Sequence, residues 1–142
     1  NSSLQDIYGD KINTSYMREV TDLNSYILIN NGDSAFKRVK LPDLAQTIPI
    51  LSSDVFDYNK DGYEDVIISG NIYNTEVETP RLDNPFALVL LSNKKNGYYC
   101  LGPNSTGLYT KGNTKSVKIL NAPKVLIVGN NNESMESFTI NN

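Results

Sequence analysis

Residues 57–68 read Asp57-Tyr58-Asn59-Lys60-Asp61-Gly62-Tyr63-Glu64-Asp65-Val66-Ile67-Ile68, an acidic segment that leads directly into an apolar run. An oxygen-bearing side chain stands at its first, third, fifth and ninth positions, and Gly62, at the sixth, permits the positive φ of a sharp turn. Alternating residues of a tight loop point the same way, so these oxygens can converge. Ca²⁺ takes about six to eight oxygen ligands from carboxylates, amides and backbone carbonyls. The predicted calcium ligands are the side chains of Asp57, Asn59, Asp61 and Asp65 and the backbone carbonyl of Tyr63.

Two other interpretations share part of this pattern. An EF-hand or dockerin loop has the same first half, but an EF-hand needs a glutamate at the twelfth position and a helix on each side. Here Ile68 is twelfth, inside a β-branched run that predicts a strand. The other alternative is an acidic hairpin turn without metal. Three aspartates within nine residues would repel one another without a counter-ion, which favours the metal.

The stretch from Asp57 to Asn71 resembles the repeat signature of the FG-GAP/VCBS-type β-propellers, which is also seen in integrin α-chain heads. In that family the loop joins two strands of a blade and binds calcium. The similarity covers about residues 20–130. The order of the matching segments along the chain resembles the C-terminal part of large secreted VCBS-repeat proteins of the Bacteroidetes type, which are often described with an ASPIC/UnbV-like domain. The further matching segments are Leu41-Pro42, Ala45-Gln46, Gly70-Asn71, Arg81-Leu82-Asp83 and Ala87-Leu88-Val89-Leu90-Leu91.

Composition excludes several function classes. The chain has 142 residues and a net charge of −3, whereas a nucleic-acid-binding domain needs a basic stripe. No apolar run approaches the roughly 18 residues that a membrane span requires. Histidine is absent, which excludes Ser-His-Asp and Cys-His catalysis and histidine-based zinc sites. The single cysteine, Cys100, lies between aromatic and apolar residues and is predicted to be a strand residue rather than a nucleophile.

The pattern of apolar residues predicts a short helical or irregular segment over residues 1–25 and an all-β domain over residues 26–142. Ser2 or Ser3 caps the first helix, and residues 14–19 start a second short helix. Asn30-Asn31-Gly32-Asp33 is predicted to turn a hairpin. The predicted strands are 26–29, 36–39, 54–57, 65–69, 87–91, 98–101, 116–120, 124–128 and 137–140, with a turn at Asn121-Ala122-Pro123.

Residues 71–86 hold two prolines and mixed charge without periodicity, so they are predicted to form a long loop. Loops of this length in compact domains are usually functional or disordered. One interpretation is a ligand or partner surface; the other is a loop pinned by Arg81 pairing with a neighbouring carboxylate. The candidate surface residues are Tyr73, Glu76, Glu78, Arg81 and Asp83.

Two segments repeat. The predicted hairpin that begins at Ile27 matches the predicted hairpin that begins at Val89, and residues 66–71 match residues 126–130. Each unit is a pair of hairpins, which predicts four-stranded antiparallel propeller blades. The second copy lacks carboxylates at its turn, so one ion site is expected. About two to three blades fit this length, whereas a closed propeller needs at least four. The chain is therefore expected to belong to a larger propeller chain or to pack against a partner protein.

The resemblance and the residues together predict a calcium-stabilised, non-catalytic β-propeller module. It would belong to a secreted or cell-surface protein, associated with the outer membrane if bacterial, and would act in binding a glycan or protein or in assembly. The alternative is part of a carbohydrate-active propeller enzyme, such as a polysaccharide lyase that uses the metal to hold a uronate carboxylate.

Overall fold

The computed structural model describes residues 2–121 and 124–141. These residues form nine strands, two short α-helices and two 3₁₀ helices. The strands are β1 (Tyr26–Asn30), β2 (Phe36–Lys40), β3 (Ser52–Phe56), β4 (Asp65–Ser69), β5 (Leu88–Ser92), β6 (Tyr98–Leu101), β7 (Thr114–Asn121), β8 (Lys124–Asn130) and β9 (Glu136–Thr139). The helices are α1 (Leu4–Tyr8) and α2 (Pro103–Thr106), with 3₁₀ helices at Gly9–Thr14 and Asp43–Thr47.

Within each of three sheets, the strands that pair are consecutive in the chain, and every pairing is antiparallel. The first sheet contains β1 and β2, the central sheet contains β3 to β6 in that order, and the third sheet contains β7 to β9. The expectation of a mostly β protein with a short N-terminal helix is confirmed. The predicted hairpin at Asn30–Asp33 is also confirmed, because Asn30 pairs with Phe36 across it.

The register of β3 and β4 places the acidic stretch at a hairpin end. Phe56 pairs with Asp65, and Val55 pairs with Val66, so residues 57–64 form the connecting loop. Ile68, at the twelfth position of the stretch, lies within β4. Strands therefore flank the loop on both sides, and an EF-hand is excluded.

The central sheet is covered on both faces. On one face Ile67 and Val89 pack against residues of the third sheet, including Val117 and Leu126. On the other face a second cluster brings Ile68 and its neighbours against the 3₁₀ helix at Asp43–Thr47. The second cluster contains Leu41, Ala45, Ile48, Ile68, Leu88 and Leu90. Burial on both faces explains the unbroken apolar run of β5, as predicted.

Side chains of β3 hold the third sheet against the central one. Asp54 accepts hydrogen bonds from the Ile119 N–H at 2.6 Å and from the Lys118 ammonium at 2.8 Å. Ser52 Oγ accepts a hydrogen bond from the Val117 N–H at 3.0 Å. These contacts fix the position of β7 beside β3. Strand β3 leads directly into the loop of residues 57–64.

The N-terminal segment differs in part from the prediction. Ser3 caps α1 through a capping box with Asp6, as expected, and Gly9 ends it with a φ of +56°. The prediction of a second helix over residues 14–19 is wrong. The 3₁₀ helix at Gly9–Thr14 ends at Thr14, and residues 15–25 have no regular structure. Residues 14–19 are all exposed, and a short helix without tertiary packing is marginal in water.

Three further details were not predicted or cannot be compared. The 3₁₀ helix at Asp43–Thr47, which follows Leu41-Pro42, was not predicted. Helix α2 begins at Pro103, and Pro at the first turn of a helix is favourable. The predicted turn at Asn121-Ala122-Pro123 includes residues 122 and 123, which lie outside the described residues. Within the described ranges, no helix has the length and apolar character needed to cross a membrane.

Candidate metal centre

Residues 57–65, which comprise the loop between β3 and β4 and the first residue of β4, are hereafter called the acidic loop. This segment is organised by its own side-chain oxygens. The two carboxylate oxygens of Asp57 accept hydrogen bonds from the Asp61 N–H at 3.1 Å and the Gly62 N–H at 2.9 Å. Asn59 Oδ1 also accepts from the Asp61 N–H, at 3.2 Å, and Asp61 Oδ1 accepts from the Tyr63 N–H, at 3.0 Å. Gly62 has a φ of +85°, the conformation that its position was expected to require.

Asp65 anchors the end of the acidic loop. Its side chain is almost fully buried, at 1% exposure. One carboxylate oxygen accepts a hydrogen bond from the Tyr58 N–H at 2.9 Å, and the other accepts from the Ser92 N–H at 2.8 Å. Asp65 therefore ties the loop both to its own beginning and to the end of β5.

Two lysines from other turns and strands contact the acidic loop. The Lys94 ammonium lies 3.1 Å from Asp61 Oδ2 and 4.9 Å from the centre of the Tyr63 ring. The Lys124 ammonium donates to the backbone carbonyl of Asp57 at 2.8 Å. Burial raises the pKa of Asp61, but the hydrogen bonds from the Tyr63 N–H and from Lys94 outweigh this, and the net shift is downward. The loop thus keeps Asp61 ionised.

The predicted ligands lie within one loop, but their carboxylates are not gathered around a common point. Within residues 2–121 and 124–141, no group of three or more His, Cys, Asp or Glu side chains is placed to hold a metal ion. Asp57 and Asp61 instead accept from amides of the loop, and Asp65 accepts from Tyr58 and Ser92.

The residues nevertheless fit a hard cation by their chemistry. Each carboxylate or amide oxygen has two lone pairs, so an oxygen that accepts one amide N–H can still bind a cation. The set of Asp57, Asn59, Asp61 and Asp65, with the Tyr63 carbonyl, supplies oxygen ligands of the kinds that Ca²⁺ prefers. The ammonium of Lys94 already lies against one of these ligands. A positive charge is therefore accommodated at this loop.

The second group of predicted residues is only partly brought together. Ile72 pairs with Leu82 and closes a small hairpin within residues 71–86. Tyr73 donates to Asp83 at 2.9 Å, and the guanidinium of Arg81 pairs with Asp83 and stacks over the Tyr73 ring at 4.5 Å. This contact matches the interpretation of a loop pinned by Arg81. Burial and the hydrogen bond to Asp83 raise the pKa of Tyr73.

The remaining two candidates, Glu76 and Glu78, lie apart from this cluster. Both are exposed near the tip of the loop, and neither forms an ion pair with a described residue. Cys100 lies in β6 as predicted, and burial raises the pKa of its thiol. Burial therefore lowers the fraction of reactive thiolate at this position.

The sequence prediction missed the residues that support the acidic loop from outside. Ser92, Lys94 and Lys124 contact it, although they are far away in the chain. Only one weak signal was present: the Lys94-Lys95 pair lies in an Asn-Gly turn between two strands. Nothing in the local sequence indicates that this turn faces the acidic loop.

Comparison of the chain with protein-family models, with curated proteins and with solved structures gives no match. A proposal of family and function therefore depends on the acidic loop and on the three sheets.

Proposed function

We propose that the chain is a calcium-stabilised, non-catalytic β-propeller module of the FG-GAP/VCBS type. The observation that carries this proposal is the acidic loop, in which Asp57, Asn59, Asp61 and Asp65 follow a calcium-binding spacing between two antiparallel strands. In this proposal one Ca²⁺ ion neutralises the aspartates and holds the β3–β4 hairpin closed. The metal has an architectural role.

The sheet order supports the propeller part of the proposal. A propeller blade is a four-stranded antiparallel sheet, and the central sheet has four strands in chain order. The third sheet packs against it face to face, with β7 beside β3. We interpret the central sheet as a complete blade and the first and third sheets as parts of the blades on either side.

The module would belong to a secreted or cell-surface protein and would bind a glycan or a protein. The loop of residues 71–86 is the proposed contact surface, because its tip exposes Glu76 and Glu78 while Tyr73, Arg81 and Asp83 contact one another at its base. A pre-organised loop loses less conformational entropy on binding than a flexible one. The remaining part of a larger propeller, or a partner protein, would cover the open sides of the sheets.

The function can be tested by screening the chain against arrays of glycans and extracellular proteins, with calcium and with a chelator. We expect specific binding that weakens in the chelator and in the double variant Asp57→Asn/Asp61→Asn. Asp33→Asn, in the exposed β1–β2 turn, is the matched control and should bind like the wild type. Turnover of uronic-acid polymers by the chain, or binding that is indifferent to the chelator, would contradict the proposal.

A further inference from the structure

We infer that Lys94 is the built-in counter-ion of the acidic loop, and that a calcium ion must displace its ammonium to bind. This inference rests on the calcium site proposed above and adds a residue that sets its affinity. Lys94 belongs to the β5–β6 turn, not to the acidic loop itself. Its ammonium lies 3.1 Å from Asp61 Oδ2, one of the proposed ligand atoms.

The β5–β6 turn is built to hold Lys94 in place. Asn93 Oδ1 accepts hydrogen bonds from the Lys95 N–H at 2.9 Å and the Gly97 N–H at 2.8 Å. Ser92 Oγ accepts from the Lys94 N–H at 3.2 Å. Lys94 itself has a φ of +62°, which a non-glycine residue adopts only where the surrounding structure requires it.

The same turn is fixed to the acidic loop through the backbone. The Ser92 N–H donates to the buried Asp65 carboxylate at 2.8 Å, which joins the base of the turn to the end of the acidic loop. The Lys94 ammonium also lies over the Tyr63 ring, at 4.9 Å, which adds a cation–π contact. Two contacts thus direct a single positive charge to the edge of the proposed calcium site.

A cation at this place acts on the loop in two opposite ways. Without metal, the ammonium offsets the repulsion among the aspartates and stabilises the hairpin. With metal, the same ammonium competes with Ca²⁺ for Asp61 and repels the ion. Removing Lys94 should therefore weaken the metal-free protein and tighten calcium binding. A lysine that is merely a surface residue would do neither.

Lys95 provides a matched control. It is the next residue of the same turn and carries the same charge, yet it forms no ion pair with any of the described residues. Lys94→Met and Lys95→Met change the net charge equally, so a difference between them reports the direct contact with Asp61 and not the overall field.

The test measures calcium affinity by isothermal titration calorimetry and melting temperature in chelator for the wild type and both variants. Lys94→Met should lower the calcium Kd by about two- to five-fold, the range expected for the loss of a partly exposed ion pair. Its melting temperature in chelator should fall, whereas Lys95→Met should match the wild type in both measurements. Lys94→Arg, which retains the charge, should restore the wild-type melting temperature.

The possible results separate this inference from the proposed function. Equal calcium affinities in all variants would overturn the role of Lys94 and leave the calcium site intact. Absence of calcium binding in the wild type and in Lys94→Met alike would overturn both. Binding by Lys94→Met but not by the wild type would support the inference, because the lysine would then compete more strongly than expected.

Discussion

At the scale of single residues, Asp65 is the most constrained part of the acidic loop. It is buried, and its two oxygens accept from two separate backbone amides, those of Tyr58 and Ser92. A buried N–H that loses its acceptor costs roughly 1–3 kcal/mol. Asp65 therefore has a structural role that does not depend on metal, in addition to its proposed role as a ligand.

This role leads to a prediction for the metal-free protein. In chelator, Asp65→Ala should lower the free energy of unfolding by about 2–4 kcal/mol, because both amides lose their acceptor. Asp65→Asn should cost about half as much, since one acceptor oxygen remains. Urea denaturation checks both values.

Glu64→Ala is the control, because Glu64 is adjacent but exposed, and it should change stability by less than about 0.5 kcal/mol. If Asp65→Ala were as stable as Glu64→Ala in chelator, Asp65 would not anchor the acidic loop through the Tyr58 and Ser92 amides.

At the scale of elements, one carboxylate, that of Asp54, accepts two of the hydrogen bonds that join β7 to β3. Burial alone would raise the pKa of Asp54, but hydrogen bonds from the Ile119 N–H and from Lys118 outweigh it and hold the pKa below its usual range. The unfolded chain has a pKa of about 3.9 at this group. Because the folded value is lower, its contribution is present above about pH 4 and is lost as the pH falls further.

Asp54→Asn should therefore lower the free energy of unfolding by about 1–2 kcal/mol at neutral pH, since a charged acceptor becomes neutral. The difference from the wild type should shrink as the pH falls below about 4, because the unfolded chain then binds a proton at this position, and folded Asp54 does so only at lower pH. Urea denaturation across this range checks the prediction. Asp33→Asn removes an exposed carboxylate and should show no such pH-dependent difference; a constant difference for Asp54→Asn would refute the linkage.

Most elements could be predicted from local sequence because their signals are local. The β-branched run after Asp65 and the Asn-Gly turn after β1 define strands and hairpins without reference to the rest of the chain. The 3₁₀ helix at Asp43–Thr47 was missed, because it depends on the burial of Ala45 against the central sheet. The helix predicted over residues 14–19 does not form because residues 14–19 are all exposed and gain no stability from tertiary packing.

The candidate site could be predicted only in part, because some of its contacts come from distant parts of the chain. The spacing of Asp57, Asn59, Asp61 and Asp65 identifies the loop, but the contacts of Lys94 and Ser92 depend on how β5 lies beside β4. The buried polar contacts between the loops that connect the strands were also not foreseen. The Asn71 side chain, for example, donates to the Gly112 carbonyl at 2.7 Å and accepts from the Asn84 N–H at 2.6 Å.

At the scale of the whole molecule, the three sheets differ in how well they are covered. The central sheet is buried on both faces, whereas the first sheet leaves Leu28 and Phe36 more than half exposed. Exposed apolar side chains and open strand edges favour association with further protein. This difference agrees with the proposal that further blades or a partner protein cover the outer sheets.

In the proposed function, the acidic loop holds one calcium ion that stabilises the whole fold. A ligand that binds only the native state stabilises it by about 2.7 kcal/mol at 100 times its Kd. The most direct test is the melting temperature in calcium and in chelator for the wild type and for Asp57→Asn/Asp61→Asn. We expect calcium to raise the melting temperature of the wild type and to leave that of the double variant unchanged. The same melting temperature for the wild type in both conditions would contradict it.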